Sequence, residues 1–100
     1  MTKVKYIALV KFKEGTPEDQ IQTIFDNILD LTETVPGIED YVSGPNASPE
    51  GLNQGYTHGL IMTFADGPAR DAYLAHPEHE RIMSLIQPVA DSVLVFDFEI

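Results

Sequence analysis

The sequence predicts an α+β fold: one four-stranded antiparallel sheet with its helices on a single face, in the order strand, helix, strand, strand, helix, strand. Three observations carry this. The stretches VKYIALVKF, YTHGLIMTF and SVLVFDFEI are rich in β-branched and aromatic residues at strand spacing. Between the first two, apolar residues recur every three or four positions, the spacing of a buried helix stripe. Proline and glycine stand at the junctions, at Pro36-Gly37, Gly67-Pro68 and Pro77.

Residues 4 to 12 form the first strand. Tyr6, Ala8, Val10 and Phe12 share one face. Lys5, Ile7, Leu9 and Lys11 share the other, apolar in its middle and lysine at both ends, like an interface core with a charged rim. A helix follows. Thr16 is its expected N-cap, Pro17 suits the first helical position, and Glu18 and Asp19 suit the positive end of the dipole. Ile21, Ile24, Ile28 and Leu31 make its buried stripe, and the helix stops before Pro36-Gly37. Residues 38 to 44, IEDYVSG, alternate weakly and read as an edge strand. The polar run PNASPEGLNQG is a loop.

Residues 56 to 64 are the next strand, with Tyr56, His58, Leu60, Met62 and Phe64 on one face. Gly67-Pro68 opens a short helix to about Ala75, and Pro77 starts a second helical run with Ile82, Met83, Leu85 and Ile86 as its apolar side. The last strand, 92 to 100, places Val93 and Val95 on one face and Leu94, Phe96, Phe98 and Ile100 on the other. The order is the split βαβ pattern of ferredoxin-like folds, and residues 1–100 read as a single domain.

Helices on one side of a sheet cover only that side, yet the first and last strands are apolar on both. Left in water, Ile7, Leu9, Phe96 and Phe98 would each forfeit about 1.5 to 3 kcal/mol of burial. A second copy packed sheet to sheet covers them, so a two-fold homodimer is expected, sheets inside and helices outside.

Sixteen acids against six bases give a net charge of −10, a surface that repels phosphate backbones, so nucleic acid is not an expected partner. With no cysteine, disulfide and thiolate chemistry are excluded. No apolar run approaches the roughly 20 residues that span a bilayer, and MTKVKYIALV lacks a signal cleavage site; a cytoplasmic protein without a membrane partner is expected. There is no glycine-rich phosphate loop, serine elbow or nucleophilic cysteine. What remains is acid/base chemistry without a cofactor, or no chemistry.

The segment DAYLAHPEHERI gathers two of the three histidines, a tyrosine and several charges around Pro77. His76, next to the proline, reads as a helix terminator. Pro77 also breaks the helical geometry that a metal site of His76, His79 and Glu78 or Glu80 would need, so no metal is expected. Met62 and Met83 read as core filling. His58 reads either as a buried histidine bonded to backbone or as a pocket residue.

VKYIALVKFKEGT, GYTHGLIMTF, AYLAHPEH and VLVFDFE together resemble the stress-responsive dimeric α/β-barrel domain family, over about residues 2 to 100. The pairing of Tyr-Thr-His in the third strand with His-Pro-x-His between helices carries the resemblance. It implies two antiparallel four-stranded sheets closing a dimeric α/β barrel. The family is functionally mixed: stress-associated plant proteins, bacterial proteins of unassigned role, and a branch of polyketide cyclases that close a linear chain by aldol chemistry. Similarity to that branch implies an acid/base pair at Tyr73 and His79 and a further histidine at His58. Tyr6 stands where that branch has a histidine, and Ala90 where it has a tryptophan.

The expectation is therefore a small dimeric protein with a semi-apolar pocket in each subunit, lined by Tyr6, Ala8, Ile24, His58, Leu60 and Ile82, for a small hydrophobic ligand. The alternative is a cofactor-independent cyclase, lyase or isomerase acting on a polyketide-like ligand, with His79 as base and Tyr73 as donor. A third reading is a structural protein whose oligomer is its function.

Overall fold

The computed structural model describes residues 2–100. The elements are β1 (Val4–Phe12), α1 (Glu18–Thr34), β2 (Ile38–Pro45), β3 (His58–Phe64), α2 (Gly67–Leu74), α3 (Pro77–Ile86) and β4 (Ala90–Glu99). The strands form one sheet in the order β2-β3-β1-β4, with every neighbouring pair antiparallel. The ferredoxin-like α+β fold is as the sequence predicts.

Strand alternation sets the layers. Tyr6, Ala8, Val10 and Phe12 of β1 and Leu60, Met62 and Phe64 of β3 are buried beneath the helices. Ile21, Ile24, Ile28 and Leu31 of α1, with Ile82 and Ile86 of α3, close the core from above. The opposite face carries Val42, Ile61, Leu94, Phe96 and Phe98 in the open, Phe96 at 64% exposure. In register, Ile7 lies between Ile61 on β3 and Phe96 on β4, so the open face has an apolar centre.

The start of α1 differs from expectation. Thr16 does not cap it; its hydroxyl donates to the Lys13 carbonyl at 2.6 Å, closing the turn that leaves β1. That turn needs Gly15 at φ +85°, and with Thr16 spent there the helix begins after Pro17, without a side-chain cap. At the far end Gly37 has φ +91°, and a Cβ there would stand 2.6 Å from that of Ala69, so both backbone and space call for glycine.

β3 starts two residues later than the pattern implied, at His58. Tyr56 belongs to the preceding loop, where its hydroxyl pairs with Ser92 Oγ at 3.1 Å and Lys11 lies over its ring. α3 ends at Ile86, and Ala90 already pairs with Phe12 in the sheet. His76 ends no helix: it is the N-cap of α3, its Nδ1 accepting the Glu78 N–H at 3.0 Å. Asp66 caps α2 in the same way, through Ala69 N–H at 2.8 Å. Among the described residues, no helix is long and apolar enough to cross a membrane.

Candidate ligand cavity

A cavity of about 310 Å³ lies between the sheet and α2–α3, on the β1–β4 side of the core. Its floor follows from strand register. Tyr6 pairs with Asp97, Ala8 with Val95 and Val10 with Val93, and all six side chains line the space. Each step of two residues is about 6.6 Å, so the floor runs about 13 Å from a polar end at Tyr6 and Asp97 to an apolar end at Val10 and Val93. The small side chain of Ala8 leaves the middle open. Val93 and Val95 are 36% and 48% exposed, so the open side runs along β4.

The roof comes from the helices. Ile28 of α1 and Ile82, Met83 and Ile86 of α3 supply apolar cover. Tyr73 and Leu74 end α2, and His79 sits in the first turn of α3. The break at Pro77 places Tyr73 and His79 side by side: their ring centroids are 4.9 Å apart at 70°. Tyr73 is buried and also meets Tyr6 edge-on at 6.1 Å and Phe64 at 5.4 Å. The polar groups thus form one chain: Asp97 beside Tyr6, Tyr6 against Tyr73, Tyr73 against His79.

Their protonation follows from burial. Desolvation pushes the Tyr73 hydroxyl far above the ordinary tyrosine range, and the neighbouring Tyr6 and Tyr41 add to this. Tyr6 is raised too, first by burial and then by the Asp97 charge. His79 is lowered below its usual 6.5 by burial, against an opposing hydrogen bond with the Leu74 backbone. Its place in the first turn of α3, at the positive end of the dipole, acts in the same direction as burial. At neutral pH the site offers protonated tyrosines and a neutral imidazole.

Of the residues expected here, Tyr6, Ala8, Leu60, Ile82, Tyr73 and His79 do line one cavity. Ile24 and His58 do not. Ile24 is packed into the core one turn before Ile28, which reaches the cavity in its place. His58 pairs with Val10 in the sheet, four positions along β3 from Met62, which lies beside Tyr6. There it is held by Phe12 at 5.2 Å and Phe25 at 5.7 Å, and its Nδ1 pairs with Thr57 Oγ1 at 2.9 Å. It borders a separate cleft with Glu18, Gln22 and Ser43. The reading of the sequence missed Asp97, Val93 and Val95. The available signal was Asp97 in phase with Val93 and Val95, within the apolar stretch VLVFDF. Among the described residues, no three His, Asp or Glu side chains converge as a metal site.

The fold agrees with what known proteins show. The profile of the stress responsive A/B barrel domain matches residues 4–100, and the chain belongs to that family. It is 31% identical over 96 residues to the stress-response A/B barrel domain-containing protein HS1 of Arabidopsis thaliana, covering 96% of this chain and 88% of that protein. It is 26% identical over 95 residues to olivetolic acid cyclase of Cannabis sativa, covering 95% and 94%. A crystal structure of a dimeric ferredoxin-like protein of unknown function from Jannaschia sp. CCS1 superposes with a TM-score of 0.88 at 26% identity, covering 98% of this chain and 99% of that one.

Proposed function

We propose that the protein is a homodimer that binds a small, mostly apolar, oxygen-bearing molecule in the cavity of each subunit. The observation that supports this most is the graded floor: Tyr6 and Asp97, then Ala8 and Val95, then Val10 and Val93. An apolar space with a few convergent polar groups at one end suits a ligand with an oxygen head and an alkyl tail. Its length matches a molecule of about 10 to 13 Å, on the strand rise already used. The homodimer reading is supported by the open apolar face around Ile7 and Phe96 and by the dimeric Jannaschia neighbour. Titration calorimetry with 2-nonanone, a neutral ketone of this shape, tests the binding reading. Saturable binding, one ligand per chain, is expected; no heat and no protection of the folded state would contradict it.

A second reading is favoured by the contact of His79 with Tyr73. A neutral imidazole beside a protonated phenol is a base next to a donor, the pair needed to take a proton beside a carbonyl and steady the enolate oxygen. The likeness to olivetolic acid cyclase supports the same pair. In this reading the protein is a cofactor-independent cyclase or lyase, with His79 as base and Tyr73 as donor. The test is turnover of a poly-β-keto thioester, followed by the absorbance of the cyclised product, which forms with loss of water. His79→Ala should abolish it. The control is His76→Asn, which keeps a capping acceptor for α3 and should retain activity. Equal loss in both variants, tracking lost stability, removes the catalytic reading.

A further inference from the structure

We propose that the polar end of the cavity selects against anions: the ligand presents a neutral carbonyl or hydroxyl there, not a carboxylate or phosphate. This rests on the cavity being a ligand site and specifies what enters it.

The charge distribution at the cavity's edge points this way. Asp97 enters from β4 and is the cross-strand partner of Tyr6. Arg70 of α2 reaches across to it, its Nη1 donating to Asp97 Oδ2. The same guanidinium donates from Nε to Asp71 Oδ1 at 2.9 Å. The Arg70 and Asp97 side chains are each 27% exposed. One cation shared by two carboxylates leaves the group at a net charge of −1.

No lysine or arginine lines the cavity, and burial holds His79 neutral. An entering anion would therefore meet a like charge with no free positive group to offset it. The chain as a whole, at −10, adds repulsion in the same sense. A neutral head fits each group in turn. Tyr6 and Tyr73 hydroxyls donate to a ketone or ether oxygen, and the Asp97 carboxylate accepts from a hydroxyl. Arg70 is then a positioning residue: it touches no ligand but fixes where the Asp97 oxygens stand.

Two probes with the same ring and tail isolate the effect, 4-pentylphenol and 4-pentylbenzoate, titrated against the full chain by calorimetry at pH 7.5. The wild type should bind the phenol at least about tenfold more tightly than the benzoate. Asp97→Asn should remove most of that preference by raising benzoate affinity. Arg70→Gln, which leaves Asp97 uncompensated, should widen it. Equal binding of the two probes by the wild type, or a preference that Asp97→Asn leaves unchanged, or one that Arg70→Gln narrows, overturns the proposal while the cavity remains a binding site. Binding of neither probe overturns both.

Discussion

The ring of Tyr73 stands edge-on to the imidazole of His79, 4.9 Å between centroids, across the proline break that separates α2 from α3. This contact joins a buried donor to a neutral base at one end of an apolar space. The sequence spacing of six makes it possible because Pro77 stops the first helix from continuing and starts the second at a new angle.

Tyr73→Phe separates packing from chemistry. The phenyl ring keeps its contacts with Tyr6, Phe64 and His79, so stability should change by less than about 1 kcal/mol. Affinity for 2-nonanone should fall several-fold, and any turnover of a poly-β-keto substrate should be lost. Tyr73→Ala instead empties a core position and should cost about 3 to 5 kcal/mol in urea unfolding. A Phe variant as unstable as the Ala variant would mean that the hydroxyl is structural.

Ala8→Leu fills the middle of the floor. Because the added carbons enter existing space, stability in urea unfolding should hold or rise, by up to about 2 kcal/mol. Binding of 2-nonanone should weaken more than about tenfold. Unchanged affinity would place the ligand elsewhere.

The pH dependence of stability has a defined sign. Folding lowers the pKa of His79, so the unfolded chain binds its proton more readily than the folded one. The contribution is absent as a penalty above about pH 6.5, grows as pH falls through 6.5, and levels off once pH is below the folded value. Urea unfolding between pH 7.5 and 5 should show stability falling in the wild type and a shallower fall in His79→Gln. Identical slopes would show that the imidazole is not desolvated.

The open sheet face has its own test. Phe96→Asp loses about 2 to 3 kcal/mol of burial in each copy, and two-fold symmetry doubles this, so the dimer dissociation constant should rise by about three orders of magnitude or more. Sedimentation should find the wild type at twice the 11.1 kDa chain mass and the variant at the chain mass, still folded. A wild type that sediments at the chain mass at micromolar concentration contradicts the interface.

Much of this was legible before the fold was seen. The period-two pattern of VKYIALVKF placed Tyr6 and Ala8 beneath the helices because only one row of that strand is free of charge. The pairing of Tyr73 with His79 was implied by the family resemblance, and the structure shows their rings in contact across the Pro77 break. What the pattern did not contain was distance along a strand: His58 shares a face with Met62 but lies four residues away, behind Phe12 and Phe25. Nor did it contain register across strands. Asp97 became a cavity residue only through its pairing with Tyr6. Thr16 was misplaced for a local reason, since the same hydroxyl serves a helix cap or a turn, and here the turn after β1 takes it.

The most direct test is the orientation of a bound ligand. Nuclear Overhauser effects should connect the methyl beside the carbonyl of 2-nonanone to the rings of Tyr6, Tyr73 and His79, and its terminal methyl to Val10, Ile86 and Val93. That pattern requires the graded floor on which the functional reading stands. Contacts to Ile7, Ile61 and Phe96 on the opposite sheet face, or no intermolecular contact at saturating ketone, would contradict it.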